Sequence, residues 1–295
     1  MNRMLILFTA LLLVSCAGNK ADNSIKEDET PIAFNIAASD SLKLAEVWQK
    51  AKNGNWQQKS LAEIEMQLAE LFLETPYVAN TLDQDSVEKL VINLKGFDCV
   101  TYVENVLAMS LTIKSGELSN PAFAQHLLHL RYRNGNFDGY ASRLHYFSEW
   151  LTDNQQKGIL ELVSNQIGRA DLDTKVDIIS RNWNTNRFAT NSTLLAEIKS
   201  VETVVSKSNL KYISKEQLEV VENKIQAGDI IALTTSIKGL DVAHTGIAIR
   251  VNGRLHLCHA SSELGKVVIS ELPLSEYLQS KKRFNGILVA RLIKN

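Results

Sequence analysis

The feature that most restricts this chain is a change of hydrophobic period along its length. Up to about residue 205 the apolar residues recur at three- and four-residue steps, as on one face of a helix; later they fall into short β-branched runs. Leu42, Leu44, Val47 and Trp48 predict one amphipathic helix, and Leu61, Ile64, Leu68, Leu71 and Phe72 a second, parted by the turn residues Asn53-Gly54-Asn55. Val100, Val103, Val106, Leu107 and Leu111 predict a third helix, with Asp98 placed to cap its first turn. Residues 120–170 read as two more helices around a loop at 133–140. Another helix covers Leu194 to Val205, after an Asn/Arg-rich segment at 181–192. Five strands are expected at Asp229–Thr235, His244–Val251, Arg254–Ala260, Val267–Ser270 and Ile287–Leu292, with Asn252-Gly253 as a hairpin signal. Helices followed by an antiparallel sheet make an α+β pattern.

Charge and composition narrow the function classes. The net charge of −1 leaves no basic footprint, so no nucleic acid is expected as a partner. Four prolines and 14 glycines without a period exclude a collagen-like or low-complexity chain.

The N-terminus carries an address. Arg3 precedes an apolar run, Leu5 to Val14, that is short for a membrane span. It ends in Leu13-Val14-Ser15-Cys16, which resembles a bacterial lipobox. That resemblance implies a signal peptide at 1–15 and a diacylglyceryl anchor on Cys16. A flexible polar tether would follow at 16–40, then one folded domain at 41–295. The expected location is the bacterial cell envelope, on the periplasmic face of the outer membrane.

With Cys16 assigned to lipid, Cys99 and Cys258 remain, and in an oxidising compartment they could form one disulfide. The setting of Cys99 points elsewhere. At the opening of a helix, free N–H groups and the dipole favour a thiolate and can also hold an oxyanion. A base must then come from distant sequence. His244 starts a strand, and the Asn252-Gly253 turn returns the chain so that His259 comes near it, able to orient the His244 ring. His256 or Asp241 could take that third place instead. His256 and His259 stand three apart on a strand and face opposite sides, so they do not suit one metal ion. No metal or other cofactor is expected. Cys258 is assigned to the core.

These motifs resemble a known family. Phe97-Asp98-Cys99, the strand from His244 to Ile249 and His259-Ala260-Ser261 are similar to the NlpC-type cell-wall peptidases, a papain-like family whose nucleophile opens a helix. Thr75-Pro76-Tyr77-Val78 resembles that family's tyrosine motif. Val100-Thr101 stands where Ser-Gly is usual, and the interval from Cys99 to His244 is longer than in simple members. Both departures resemble the N-acetylmuramoyl-L-alanine amidase-like branch. The features that match it are Phe97 to Asn105, Tyr140 to Tyr146 and Asp241 to Ile247. The resemblance implies a papain-like fold with its catalytic helix on an antiparallel sheet and added N-terminal and inserted helices. It also implies Cys99, His244 and His259 as catalytic residues, and cleavage between muramic acid and L-alanine in muropeptides, including anhydro-sugar fragments. Tyr77, Asp98, Tyr140, Ser142, Arg143, His145, Tyr146 and Asp241 are the candidate substrate contacts, Arg143 as a partner for a substrate carboxylate. Competing expectations are an endopeptidase or acyltransferase on the same triad, and an envelope lipoprotein without catalysis.

Overall fold

The structure, a computed structural model, describes residues 36–293 apart from residues 86 and 174. The expected signal peptide, Cys16 and nearly all of the expected tether lie outside these described residues. Helix α1 (Ala38–Asn53) opens inside the tail of that tether, because Asp40 is already part of the body: its carboxylate accepts from the Leu94 N–H at 2.9 Å. Leu44, Val47 and Trp48 are buried as their spacing requires, but Leu42 is 72% exposed and belongs to the solvent face. Helix α2 (Leu61–Leu71) starts at a reciprocal cap between Ser60 and Glu63.

Helix α3 (Cys99–Ser115) is the centre of the molecule. Asp98 accepts from the Thr101 N–H at 2.8 Å and the Thr101 hydroxyl accepts from the Asp98 N–H at 3.0 Å, so sequence dictates that the helix opens at Cys99. Gly116, at φ 83°, ends it in the left-handed region. The helix is buried on nearly all sides. Its polar residues Asn105, Ser110 and Thr112 therefore turn back onto carbonyls four residues earlier, at 2.7 to 2.9 Å. Helices α4 (Asn120–Arg131) and α5 (Phe147–Gln156) follow, the first resting against α3.

Next come short pieces: β1 (Leu160–Leu162), α6 (Ser164–Ile167), β2 (Ala170–Asp171), α7 (Ile178–Arg181), α8 (Ser192–Val205), β3 (Lys211–Ser214) and α9 (Lys215–Val221). The strands among them have two to four residues, too few to show a two-residue period, so no periodicity announces them. The final third holds β4 (Ile230–Thr235), β5 (Val242–Val251), β6 (Arg254–Ser261), β7 (Lys266–Ile269), α10 (Leu274–Ser280) and β8 (Phe284–Leu292). The sheet order is β2-β3-β8-β4-β5-β6-β7, antiparallel throughout, with β1 beside the end of β8. Asn252 and Gly253 both have positive φ, 51° and 82°, and join β5 to β6 in a tight two-residue turn.

Both faces of the sheet are covered. Ile230, Ala232, Ile247, Cys258 and Leu288 pack with α2 and α3. Ile231, Leu233, Ala248, Leu257 and Val289 pack with α9 and α10. This mixed architecture of helices and one antiparallel sheet is the α+β class expected, with α9 and α10 as additions. Among the described residues, no helix is long and apolar enough to cross a membrane.

Candidate active site

Three local structures bring the site together. Pro76 to Val78 runs beside Phe97, with Val78 N–H donating to the Phe97 carbonyl at 2.9 Å and Phe97 N–H to that of Pro76 at 3.0 Å. This places Tyr77 against the opening of α3, where burial and the proximity of Cys99 and Asp98 raise its phenol pKa. The second piece is the cap that sets Cys99 at the first position of α3. The third is the start of β5 beside the end of β6.

There, Nε2 of His244 lies 2.6 Å from Nδ1 of His259, the ring centroids 4.7 Å apart and the planes nearly perpendicular. The register pairs Ile247 with Cys258, so Gly246 falls across from His259. A Cβ on Gly246 would sit 2.9 Å from the His259 Cβ and 2.6 Å from the Cys258 carbonyl oxygen; its absence is what lets the His259 ring lean towards His244. Strand alternation puts both rings on the face that α10 covers, and Tyr277 of that helix packs edge-on to His259 with centroids 5.7 Å apart. The remainder of α3 lies on the other face. Cys99 meets β5 at its start, where the backbone N–H of Thr245, next to His244, serves the sulfur.

Electrostatics correct one expectation. Helix N–H groups were expected to favour a thiolate, and those of Thr245, Cys99 and Val100 do pull the thiol pKa down. Burial first, then the Asp98 charge, outweigh them and push it up to about 12. Burial likewise holds His244 well below the ordinary imidazole value, and takes His259 down to about 4. At neutral pH the free site therefore contains a neutral thiol and two neutral imidazoles. Cys99 keeps partial exposure, whereas Cys258 is fully buried with the Tyr102 hydroxyl 3.1 Å from its sulfur, and both are free thiols rather than a disulfide.

The structure sorts the other candidates. His256 is turned away, its Nδ1 2.7 Å from the Ser270 carbonyl, and Asp241 accepts from the Ser148 N–H at 2.7 Å, so neither is the partner of His244. Asp241 and Tyr146 are each 1% exposed, and the Tyr146 hydroxyl donates to Glu202 at 2.8 Å. These two are braces of the fold rather than substrate contacts, because no ligand atom can reach them. Ser142 closes a turn onto the Gly139 carbonyl. Arg143 is not free for a substrate carboxylate: it is buried and already paired with Asp83 at 2.5 Å and Glu88 at 3.4 Å. Tyr140 lies under the guanidinium groups of Arg143 and Arg187. His145 is neutral through burial, so its Nε2–H donates to the Tyr140 carbonyl at 2.7 Å. It lines a cavity of about 170 Å3 together with Asp98, Val100, Glu104, Arg131 and Arg143. Tyr277 and Gly246 escaped the sequence reading. Leu274, Tyr277 and Leu278 at helical spacing after Pro273 could have revealed the first.

The sequence profile of the AmiA-like, N-acetylmuramoyl-L-alanine amidase-like family matches residues 67–287. A crystal structure of an N-acetylmuramoyl-L-alanine amidase from Bacteroides uniformis is 38% identical, with 79% of this chain and 99% of that one covered and a TM-score of 0.76. A Bacteroides fragilis structure described as a candidate xylanase is 39% identical over 77% of this chain and 100% of that one, with a TM-score of 0.72. A Legionella pneumophila protein, 22% identical, covers 87% of this chain and 95% of its own at a TM-score of 0.65, a likeness of fold. No protein of curated function matches the chain.

Proposed function

This chain belongs to the AmiA-like, N-acetylmuramoyl-L-alanine amidase-like family, and on that premise we propose that it is a papain-like cysteine amidase cutting the bond between muramic acid and L-alanine. Family membership itself supports a hydrolase acting on peptidoglycan. The observation that carries the finer proposal is the His244–His259 pair, built at the same strand end that offers the Thr245 N–H to the Cys99 sulfur.

The contact between His244 and His259 supports one arrangement of the protons. Nε2 of His244 is engaged with His259, so the nitrogen free to take the thiol proton is Nδ1. Nε2–H then donates to Nδ1 of His259, whose own proton sits on Nε2. Because the resting thiol is neutral, proton transfer to His244 accompanies attack on the amide carbon and no ion pair stands ready beforehand. The N–H groups of Cys99 and Val100 stabilise the oxyanion. His244 returns the proton to the departing L-alanine nitrogen, and water then hydrolyses the thioester.

The name of the Bacteroides fragilis neighbour suggests a glycosidase, which needs two available carboxyl groups about the scissile bond. Asp83, Asp98 and Glu104 line the cavity beside Cys99, but each is engaged, with Arg143, Thr101 and Arg131 respectively. The amidase is favoured for that reason. An endopeptidase on the same residues would leave a sugar-linked dipeptide, while the amidase releases sugar and intact peptide. Product masses from a defined anhydro-muropeptide, with wild type and Cys99→Ala in chelator, separate these. Peptide release that persists without the thiol overturns the proposal. The lipid anchor at Cys16 and the envelope location are proposed from the sequence alone, and unchanged acylation in Cys16→Ala would remove both.

A further inference from the structure

A separate pocket lies at the far end of α3. Cys99 opens that helix and Lys114 stands in its last turn, about 22 Å further along the axis at 1.5 Å per residue. Beside Lys114, the start of α2, the loop before β4 and the end of β8 enclose about 340 Å3. One water needs roughly 15 Å3 of such space, so the pocket has room for a small organic molecule.

The pocket is built around a buried acid. Glu65 of α2 lines it, is only 2% exposed, and its Oε1 has no hydrogen-bond partner. A buried carboxyl left unpaired costs stability, which marks a place where another molecule completes the bonding. Gly228, at φ 92°, passes close by: a Cβ there would come 2.9 Å from the Ala62 Cα and 3.1 Å from Glu65 Oε2. Glycine alone leaves the carboxyl its space. Asp229, also on the wall, is closed by Arg291 at 2.7 and 2.8 Å. Burial, then the Asp229 charge, raises the Glu65 pKa well above the carboxylate range, so the group stands as a protonated acid with a hydrogen to give.

Lys114 supplies a second donor. Its ammonium gives two hydrogens to the carbonyls of Gln57 and Lys59, at 3.0 and 2.8 Å, and forms no ion pair among the described residues. The third hydrogen is unspent. Lys59 lines the pocket as well, and Arg291 is offset by Asp229, so the wall carries an excess of positive charge. That excess repels an ammonium ligand and attracts an anion.

We propose that this pocket binds a small carboxylate, one oxygen taking a hydrogen from Glu65 and the other from Lys114, at a site apart from the catalytic residues. The site does not depend on the amidase reading. Its ligand has two sources to tell apart: the stem peptide released by catalysis, and a free organic acid.

The test is an NMR titration of full-length Cys99→Ala with propionate and with propionamide, its neutral counterpart. Saturable propionate binding, tighter than that of propionamide by about tenfold or more, is expected for charge-assisted hydrogen bonds. Glu65→Leu and Lys114→Met should each weaken it about tenfold, while Glu65→Gln, whose amide still donates, keeps most of it. Glu65→Leu removes an unpaired buried group, so its urea midpoint should not fall below that of the parent, and Lys114→Met probes the second donor without touching the core. Equal affinity for acid and amide, no propionate binding, or affinity untouched by Glu65→Leu and by Lys114→Met each overturns the proposal. A stem peptide that displaces propionate identifies the product as the source; one that does not identifies a free organic acid, and both results bear out carboxylate binding.

Discussion

Nε2 of His244 and Nδ1 of His259 stand 2.6 Å apart, and in the proposed mechanism this contact decides which nitrogen of His244 accepts the thiol proton. The job requires only an acceptor at that point. His259→Asn, whose amide oxygen can receive the His244 N–H, is expected to keep at least tenfold more activity than His259→Ala. The alanine variant should lose kcat on the order of a hundredfold. Equal activity in the two variants would show that orientation of His244 lies elsewhere.

His259 also ties stability to acidity. Its pKa is lowered from the ordinary value to about 4, so the unfolded chain binds the proton more readily than the folded one. Its contribution is therefore present above about pH 6.5 and is lost as the pH falls towards 4. Wild type should lose more urea stability than His259→Asn between about pH 7 and about pH 4.5. Parallel losses would contradict the sign.

A neutral thiol and a neutral base predict an unusual pH profile. Since His244 is held well below its ordinary value, kcat/KM should show no acidic limb centred near about 6.5, only a fall at lower pH. Alkylation of Cys99 by iodoacetamide should be slow at neutral pH and climb through the alkaline range. Asp98→Asn keeps an N-cap but removes the charge that raises the thiol, so alkylation at fixed pH should quicken with little change in urea midpoint. Slower alkylation in that variant counts against the account.

Gly246 is held to glycine by contact rather than by backbone angle. Gly246→Ala places a methyl 2.6 Å from the Cys258 carbonyl oxygen, and a backbone shift there displaces His259 as well. A loss of about 1–3 kcal/mol in urea unfolding is expected, with a fall in kcat. Full activity at unchanged stability would mean that β5 and β6 separate freely.

Arg131 and Glu104 form an ion pair with side chains only 1% and 2% exposed, behind the cavity beside Cys99. Glu104→Gln strands a buried guanidinium and should cost about 3–5 kcal/mol, whereas Arg131→Met with Glu104→Leu should recover most of it. Additive losses in that double-mutant cycle would show the pair to be uncoupled.

The sequence was informative where a residue acts through its neighbours. Asp98 and Thr101 set the start of α3, and Asn252-Gly253 set the hairpin, so Cys99 at a helix opening and His244 beside His259 were legible from local signals. It was silent where long-range burial decides. The helix opening at Cys99 speaks for a thiolate, but packing around the sulfur reverses that sign. Arg143 and Tyr146 resemble ligand contacts until their partners Asp83, Glu88 and Glu202, remote in sequence, are folded against them. Strands β1 to β3 exist only because β8 and each other supply their hydrogen bonds.

Strand β8 is made last of the eight, yet it lies in the interior of the sheet, between β3 and β4. Without residues 284–292, β4 loses its neighbour on that side and the sheet is divided between β3 and β4. A chain cut before residue 284 therefore keeps the β5–β6 hairpin that carries His244 and His259 but loses the strand that ties it, through β4, to the rest of the sheet.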